Sequence, residues 1–202
     1  MPDHNVYTFN PDDLKVQDMY KLLIGSVVPR PIAWVSSKSQ DRILNLAPFS
    51  FFTVASPCPP TLAISIAPGN NNNAKDTLTN IRDTKEYVIN IVPEHLGSPM
   101  YISSKSFPAE IDEFQQAGLT PQPALKINAP MVKESPIAFE LKLDQILPIG
   151  VSHFVLGKVV HIHVHKDIYV DSYKTDIEKW KPLARLAGDY ASITTPYSLP
   201  RE

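Results

Sequence analysis

Cysteine is almost missing from this chain: Cys58 stands alone among 202 residues. That excludes an internal disulfide framework and any zinc site built from cysteines. Glycine is scarce as well, at 7 residues, about half its usual share of ~7%. A nucleotide site built from glycines is therefore not expected, and no Walker-type loop, Rossmann glycine fingerprint, His-Glu-x-x-His or Gly-x-Ser-x-Gly elbow occurs. No apolar run approaches the ~18 residues of a membrane span; 22–28 and 61–67 are core-length pieces. Charge of one sign is lacking too. With 19 basic and 21 acidic residues the net charge is −2, so neither nucleic acid nor a membrane surface is expected as a partner. The first ten residues have no basic segment leading into an apolar one, so no secretory signal is expected. Together with the single cysteine this points to a reducing, cytoplasmic location.

Proline is what the chain has in excess: 20 residues, about twice the usual ~5%. Prolines at that density forbid long helices over most of the length. A hydrophobic share of 43% against 20% charged is an ordinary globular balance, and the length fits one domain over 1–202. Proline-free windows predict helices within 13–25 and 74–85, and proline-poor ones predict short helices within 93–105 and 108–118, the last capped by Gly118. Runs of β-branched and aromatic residues predict strands at 32–36, 49–55, 62–66, 87–92, 137–146 and 153–166. The last two read as a hairpin across Pro148-Ile149-Gly150. Phe139, Leu141 and Leu143 alternate with Glu140, Lys142 and Asp144, the pattern of a half-buried antiparallel strand. Helices this few do not make a βαβ repeat. The expected fold is mainly β, an antiparallel barrel with a few short peripheral helices. A polar arm from about residue 169 is expected to wrap the surface or a partner.

Three segments carry chemistry-bearing residues. Asn70 to Asn73 precede the helix that opens Ala74-Lys75-Asp76-Thr77. Exposed N–H groups at such a helix start favour an anion, and Lys75 and Thr77 add a charge and a hydroxyl. The commoner use of such asparagines is a polar turn in which one of them caps the helix. His161, His163 and His165 share one strand face by alternation, an arrangement that can hold zinc, copper or iron. A solvated strand face is the commoner reason, and no metal is expected. Trp34, Phe49, Phe51 and Phe52 can stack on a planar ring, although aromatic residues in strands are usually core. Cys58, between Pro57 and Pro59-Pro60, reads as a loop residue rather than a nucleophile.

Several segments in order resemble the flavin reductase-like family of FMN-binding split barrels, its flavoredoxin-type branch in particular. They are Pro29-Arg30-Pro31-Ile32-Ala33-Trp34-Val35-Ser36-Ser37, then Asn45-Leu46-Ala47-Pro48-Phe49-Ser50-Phe51-Phe52, then Pro59-Pro60-Thr61-Leu62. Lys75-Asp76-Thr77-Leu78 with Asn80-Ile81, Tyr87-Val88-Ile89-Asn90 and Ser135-Pro136-Ile137 follow. His153 with Gly157-Lys158-Val159-Val160-His161, and Pro182-Leu183-Ala184-Arg185-Leu186-Ala187-Gly188-Asp189-Tyr190, complete the match. It covers roughly 22–190, nearly the whole chain.

The resemblance implies a six-stranded antiparallel split barrel that binds FMN non-covalently at a homodimer interface. A barrel this small fills its interior with side chains, so a flavin has to lie outside, in a groove a second subunit can close. Carried over by position, Asn45, Leu46, Ala47, Pro48, Phe49, Ser50 and Phe51 resemble the strand edge along the isoalloxazine, offering backbone N–H groups and the Ser50 hydroxyl. Arg30, Ser36, Lys75, Asp76 and Thr77 resemble positions around the ribityl chain and phosphate, Asp76 at a hydroxyl or a cap; Arg185 also falls among the cofactor positions. His153 resembles the histidine that approaches a nicotinamide nucleotide, which implies an NAD(P)H-dependent flavin reductase, with an electron carrier lacking a nicotinamide site as the alternative and a redox partner protein as a further expectation. Two departures stand out. The family's Gly-Asp-His is Val151-Ser152-His153 here, and its Arg-Leu-Gly-Gly is Arg185-Leu186-Ala187-Gly188.

Overall fold

The computed structural model describes residues 5–69 and 73–200. A 3-10 turn at Pro11–Asp13 precedes helix α1 (Val16–Ser26). Strands β1 (Ala33–Lys38), β2 (Leu44–Phe49), β3 (Phe52–Pro57) and β4 (Pro60–Ile66) follow. Helix α2 (Asp76–Thr84) leads into β5 (Glu86–Ile91). Short helices α3 (Gly97–Ser103) and α4 (Glu113–Ala117) come next, then the small pair β6 (Pro121–Gln122) and β7 (Met131–Val132). The long strands β8 (Ile137–Ile149) and β9 (Ser152–Val164) form the expected hairpin, turning through Gly150 at φ 56°, a left-handed value that glycine adopts freely. The remainder holds β10 (Tyr169–Val170), β11 (Lys174–Thr175), α5 (Ile177–Trp180), β12 (Leu183–Arg185) and β13 (Tyr190–Ser192).

Seven strands form one antiparallel sheet in the order β2-β1-β5-β8-β9-β4-β3. Its two edges, β2 and β3, are consecutive in the chain and separated only by Ser50 and Phe51. Three Cα steps reach at most about 11 Å, so the sheet has to curl until its edges meet, and the result is a barrel. At the corner the Ser65 N–H of β4 donates to the Phe51 carbonyl at 2.8 Å, which continues the β3–β4 ladder to the turn. The sheet has seven strands where six were expected because β2 forms over 44–49, ahead of the strand expected at 49–55. Phe49 ends one strand and Phe52 begins the next.

Inward alternation of Val35, Phe49, Ile64, Tyr87, Ile89 and Leu141 fills the barrel, and Leu78 and Ile81 of α2 pack into the same core. The Tyr87 hydroxyl is buried there with no hydrogen-bond partner among the described residues. Its ring passes over Gly157: a Cβ at 157 would lie 2.8 Å from Tyr87 Cζ and 2.9 Å from Leu141 Cδ2. A second core outside the barrel gathers Trp34, Leu46, Met100 and Phe114 beneath α3 and α4, with Trp34 Nε1 donating to Ser103 Oγ at 2.8 Å. Trp34 and Phe49 are thus core residues, whereas Phe51 keeps 40% of its surface exposed.

One expectation needs correction. The polar face of β8 is not solvated throughout: Glu140 is fully buried under 124–132, accepting from the Leu125 and Lys126 N–H groups at 2.8 and 2.7 Å. The C-terminal arm runs along the surface of its own barrel. Leu183 N–H donates to the Val92 carbonyl and Glu94 N–H to the Lys181 carbonyl, which fastens β12 to the barrel. Helix α1 forms where expected, yet none of its residues is buried. Among the described residues no helix is long and apolar enough to cross a membrane.

Candidate functional site

β2 is an edge strand, so one side of its backbone has no strand partner. Antiparallel alternation decides which groups face that side. The Leu46 N–H points outward, because it donates to Glu113 Oε2 at 3.2 Å rather than to β1. Pro48, two residues on, faces the same way and has no N–H to offer. Asn45, Ala47 and Phe49 have the opposite parity and face β1 across the register Asn45–Ser37, Ala47–Val35 and Phe49–Ala33. The expected row of backbone donors along 45–51 therefore shrinks, leaving Ser50 beyond Pro48 as the next position of outward parity.

The side chains of this strand divide the same way. Asn45 is buried in a polar network: its Oδ1 accepts from Thr77 Oγ1 at 2.8 Å and from Ser37 Oγ at 3.2 Å, and its Nδ2 donates to Glu113 Oε1 at 3.1 Å. Asn80 Nδ2 donates to Ser37 Oγ at 3.1 Å. These bonds lock the first turn of α2 and the whole of α4 onto β2. Glu113 was not singled out from sequence; an acid at the start of a five-residue helix looks like a helix-dipole partner. Burial pushes its carboxyl up, and Asp76 adds to this, while the bonds from Leu46 and Asn45 hold it back.

Lys75 stands at the N-cap position of α2, where an asparagine was the expected cap; Asn70 to Asn72 lie outside the described residues. Its Nζ sits 5.4 Å from the centroid of Phe49. The side chain makes no ion pair among the described residues. Much of the residue is exposed, yet desolvation still lowers its ammonium from the ordinary lysine value. Asp76 opens α2, half-buried. Thr77 is buried and its hydroxyl is committed to Asn45. As at any helix start, the first-turn N–H groups have no carbonyl partner inside the helix.

Ser36 is corrected by parity. It faces away from Ser37, fully buried, donating to the Pro130 carbonyl at 2.5 Å and accepting from Asn90 Nδ2 at 3.0 Å. It fastens the segment before β7 and lines no groove. Arg30 is a strut more than a free cation. Its Nη1 donates to the carbonyls of Ile24 (2.6 Å) and Val27 (2.8 Å), and its Nη2 to that of Leu186 (2.6 Å). Its Nε points at Ser50 Oγ, 3.5 Å away, and its guanidinium carbon is 5.9 Å from the Phe51 ring. Arg185 pairs with Arg30 through the backbone and lays its guanidinium 4.5 Å from the Tyr190 ring centroid. Arg30, Pro48, Ser50 and Arg185 thus line one pocket of about 240 Å³, while Asn45 and Thr77 are knitted into the network behind the strand.

His153 is the second residue of β9, opposite Ile66, which lies three residues before Gly69. The register therefore sets it at the end of the sheet from which the chain runs on to Lys75. Of the three histidines on β9 and just beyond it, His163 has its Nε2 2.6 Å from Glu140 Oε1, and His161 meets His163 edge-on at 4.8 Å between centroids. Among the described residues no three His, Cys, Asp or Glu side chains cluster closely enough to hold a metal.

The chain belongs to the flavin reductase-like domain family, which matches residues 24–193. Its fold is the antiparallel split barrel expected of that family. An uncharacterised protein of Aquifex aeolicus is 44% identical over 172 residues, spanning 85% of this chain and 88% of its own. Among solved structures, nitrilotriacetate monooxygenase component B of Bacillus cereus is similar with 32% identity and a TM-score of 0.92, covering 96% of this chain and 98% of its own. The 2-nitrobenzoate 2-nitroreductase of Pseudomonas fluorescens follows at 28% and 0.88, covering 97% and 96%. A flavin-related oxidoreductase is the class these findings define.

Proposed function

We propose that the protein is an FMN-binding oxidoreductase acting as an NAD(P)H-dependent flavin reductase, a cytoplasmic homodimer that holds FMN non-covalently beside β2. The observation that carries this is Lys75: an ammonium with no acid partner among the described residues, at the open N-terminus of α2 and against Phe49 of the neighbouring strand. Those donors fit a phosphate dianion. The edge of β2 fits a flat ring, because it offers a smooth backbone border with Ser50 beyond Pro48.

FMN held here would supply the redox chemistry, that of a hydride acceptor. The chain's own residues bind and orient. Lys75 and the first turn of α2 hold the phosphate; Asp76, of the wrong sign for phosphate, serves a ribityl hydroxyl. The Asn45–Thr77–Glu113 network keeps α2 and α4 fixed against the strand, so the phosphate end and the ring edge stay in register. His153 meets the nicotinamide nucleotide at the strand end nearest Lys75. Similarity to a monooxygenase component supports a partner protein that receives the reduced flavin. The second subunit closes the groove over the exposed apolar face of α1 and β3.

A second reading, an electron carrier without a nicotinamide site, is favoured by Val151-Ser152 before His153 and by the 73% exposure of Val151. One experiment separates the two. The purified protein is saturated with FMN, checked by its visible absorption, and mixed with NADH or NADPH in a stopped-flow cell. Bleaching by either donor supports the reductase. A yellow protein that neither donor bleaches is the carrier, and failure to bind FMN overturns both.

A further inference from the structure

The outer side of β2 bounds a pocket in which Arg30 and Arg185 both take part and which, among the described residues, no acid lines. The backbone holds these two cations together: the Arg30 N–H donates to the Arg185 carbonyl at 2.9 Å and the Arg185 N–H to the Arg30 carbonyl at 2.8 Å. Side chains on residues bridged in this way are neighbours. Burial, and then the charge of Arg185, lower the Arg30 guanidinium from the ordinary arginine value. Arg30 is fixed by three carbonyls, all neutral, and only 6% of its surface is exposed. Its charge has no counter-ion among the described residues. Arg185 has none either; its guanidinium only overlies Tyr190. Two adjacent cations, one of them buried, without an acid are the electrostatic complement of an incoming anion.

The rest of the wall says what kind of anion. Tyr20, Tyr101, Tyr190 and Met100 line the same pocket. A guanidinium fork matches a carboxylate with two parallel bonds, and tyrosine rings favour a flat apolar body. The volume of about 240 Å³ lies below the roughly 300–1,000 Å³ of sites for drug-sized ligands. One ring with its carboxylate fits, and a whole flavin nucleotide does not.

We propose that this pocket binds a small planar aromatic carboxylate, its carboxylate on Arg185 and its ring among the tyrosines. The inference rests on the flavin reading for one thing only, its relation to chemistry: Pro48 and Ser50, which line the pocket, also border the edge assigned to the flavin ring. An aromatic acid in the pocket then lies beside that ring.

Calorimetric titration of the FMN-saturated protein tests the assignment, with benzoate as probe and benzamide, cyclohexanecarboxylate and inorganic phosphate beside it. Benzoate should bind at least about tenfold more tightly than benzamide, which keeps the ring and loses the charge. Arg185→Gln should abolish that preference in protein kept saturated with FMN, and Arg185→Lys should restore part of it. Tyr101→Ala, at an exposed position on α3, should weaken benzoate and benzamide together. Equal binding of benzoate and benzamide, or an Arg185→Gln protein that binds benzoate like the parent, overturns the proposal. Phosphate or cyclohexanecarboxylate binding as tightly as benzoate overturns its aromatic part. If Arg185→Gln stays folded but loses FMN along with benzoate, Arg185 belongs to the flavin site; the inference then fails and the flavin reading stands. Benzoate binding in a parent that takes up no FMN leaves the pocket intact and sinks the flavin reading alone.

Discussion

Nε2 of His163 lies 2.6 Å from Oε1 of Glu140, inside a contact that also ties two backbone N–H groups of 124–132 to the sheet. Burial alone would raise the Glu140 carboxyl, but the Leu125 N–H, His163 and the Lys126 N–H outweigh it and hold it below the ordinary carboxylate value. A lowered folded-state value means that the unfolded chain takes up the proton more readily. The stabilisation is therefore complete above the ordinary glutamate range and is lost as pH falls through the folded-state value. Glu140→Gln should cost about 1.5–3 kcal/mol at neutral pH and flatten the acid limb of the stability profile. Urea unfolding of parent and variant at neutral and acid pH measures both. Parallel curves would remove Glu140 from that role.

Gly157 should not tolerate a methyl group. Gly157→Ala drives a Cβ into the Tyr87 ring and Leu141, an overpacking that costs about 1–3 kcal/mol. Tyr87→Phe deletes a buried hydroxyl that has no partner among the described residues, so it should be neutral or stabilising alone and should recover part of the loss in the double variant. Thermal unfolding of the four proteins in the cycle reads the coupling.

Lys75→Ala should weaken FMN binding by about 1.5–3 kcal/mol, the worth of a hydrogen bond to a charged group, or roughly tenfold to a hundredfold in Kd. Quenching of FMN fluorescence during titration gives the number. An unchanged Kd refutes the phosphate assignment.

Helix α1 leaves Val16 83%, Leu23 54% and Val27 61% exposed, and β3 leaves Val54 67% exposed. The homodimer reading assigns this exposed apolar surface of α1 and β3 to the interface. The holoprotein should run as a homodimer in size exclusion with light scattering, and Leu23→Glu should shift it toward monomer. A monomeric parent contradicts the assignment.

His153→Ala should raise KM for NAD(P)H or slow flavin reduction by a factor of a few to roughly tenfold, the cost of one neutral hydrogen bond, with FMN content kept. Stopped-flow bleaching compares the two proteins; identical rates place His153 outside the site.

Period and punctuation made much of this architecture legible. Proline excess argued against long helices, alternation located most of the sheet, and Gly118 caps α4 in a left-handed conformation at φ 67° as expected. The corner at Ser50–Phe51 was not legible, because 49–55 reads as one run rich in β-branched and aromatic residues, whose break is set by where the barrel has to close. Glu113 and Glu140 were missed for a related reason. An acidic residue on a strand or helix reads as solvated until a distant segment covers it, and here 124–132 and β2 are those covers. Ser36 was misassigned by a single step of parity: Ser37 beside it joins the Asn45 network, while Ser36 turns the other way.

Pro48 has a consequence for the molecule's life among its own copies. An open sheet edge is a template on which stray strands polymerise, and the hazard lies in its unsatisfied donors. On the outward side of β2 the Leu46 donor is capped by a carboxylate and position 48 has none. A foreign strand meeting this edge finds too few complementary groups to zip onto it. The barrel can keep a border open to solvent, accessible to a small molecule, without that border seeding fibrils.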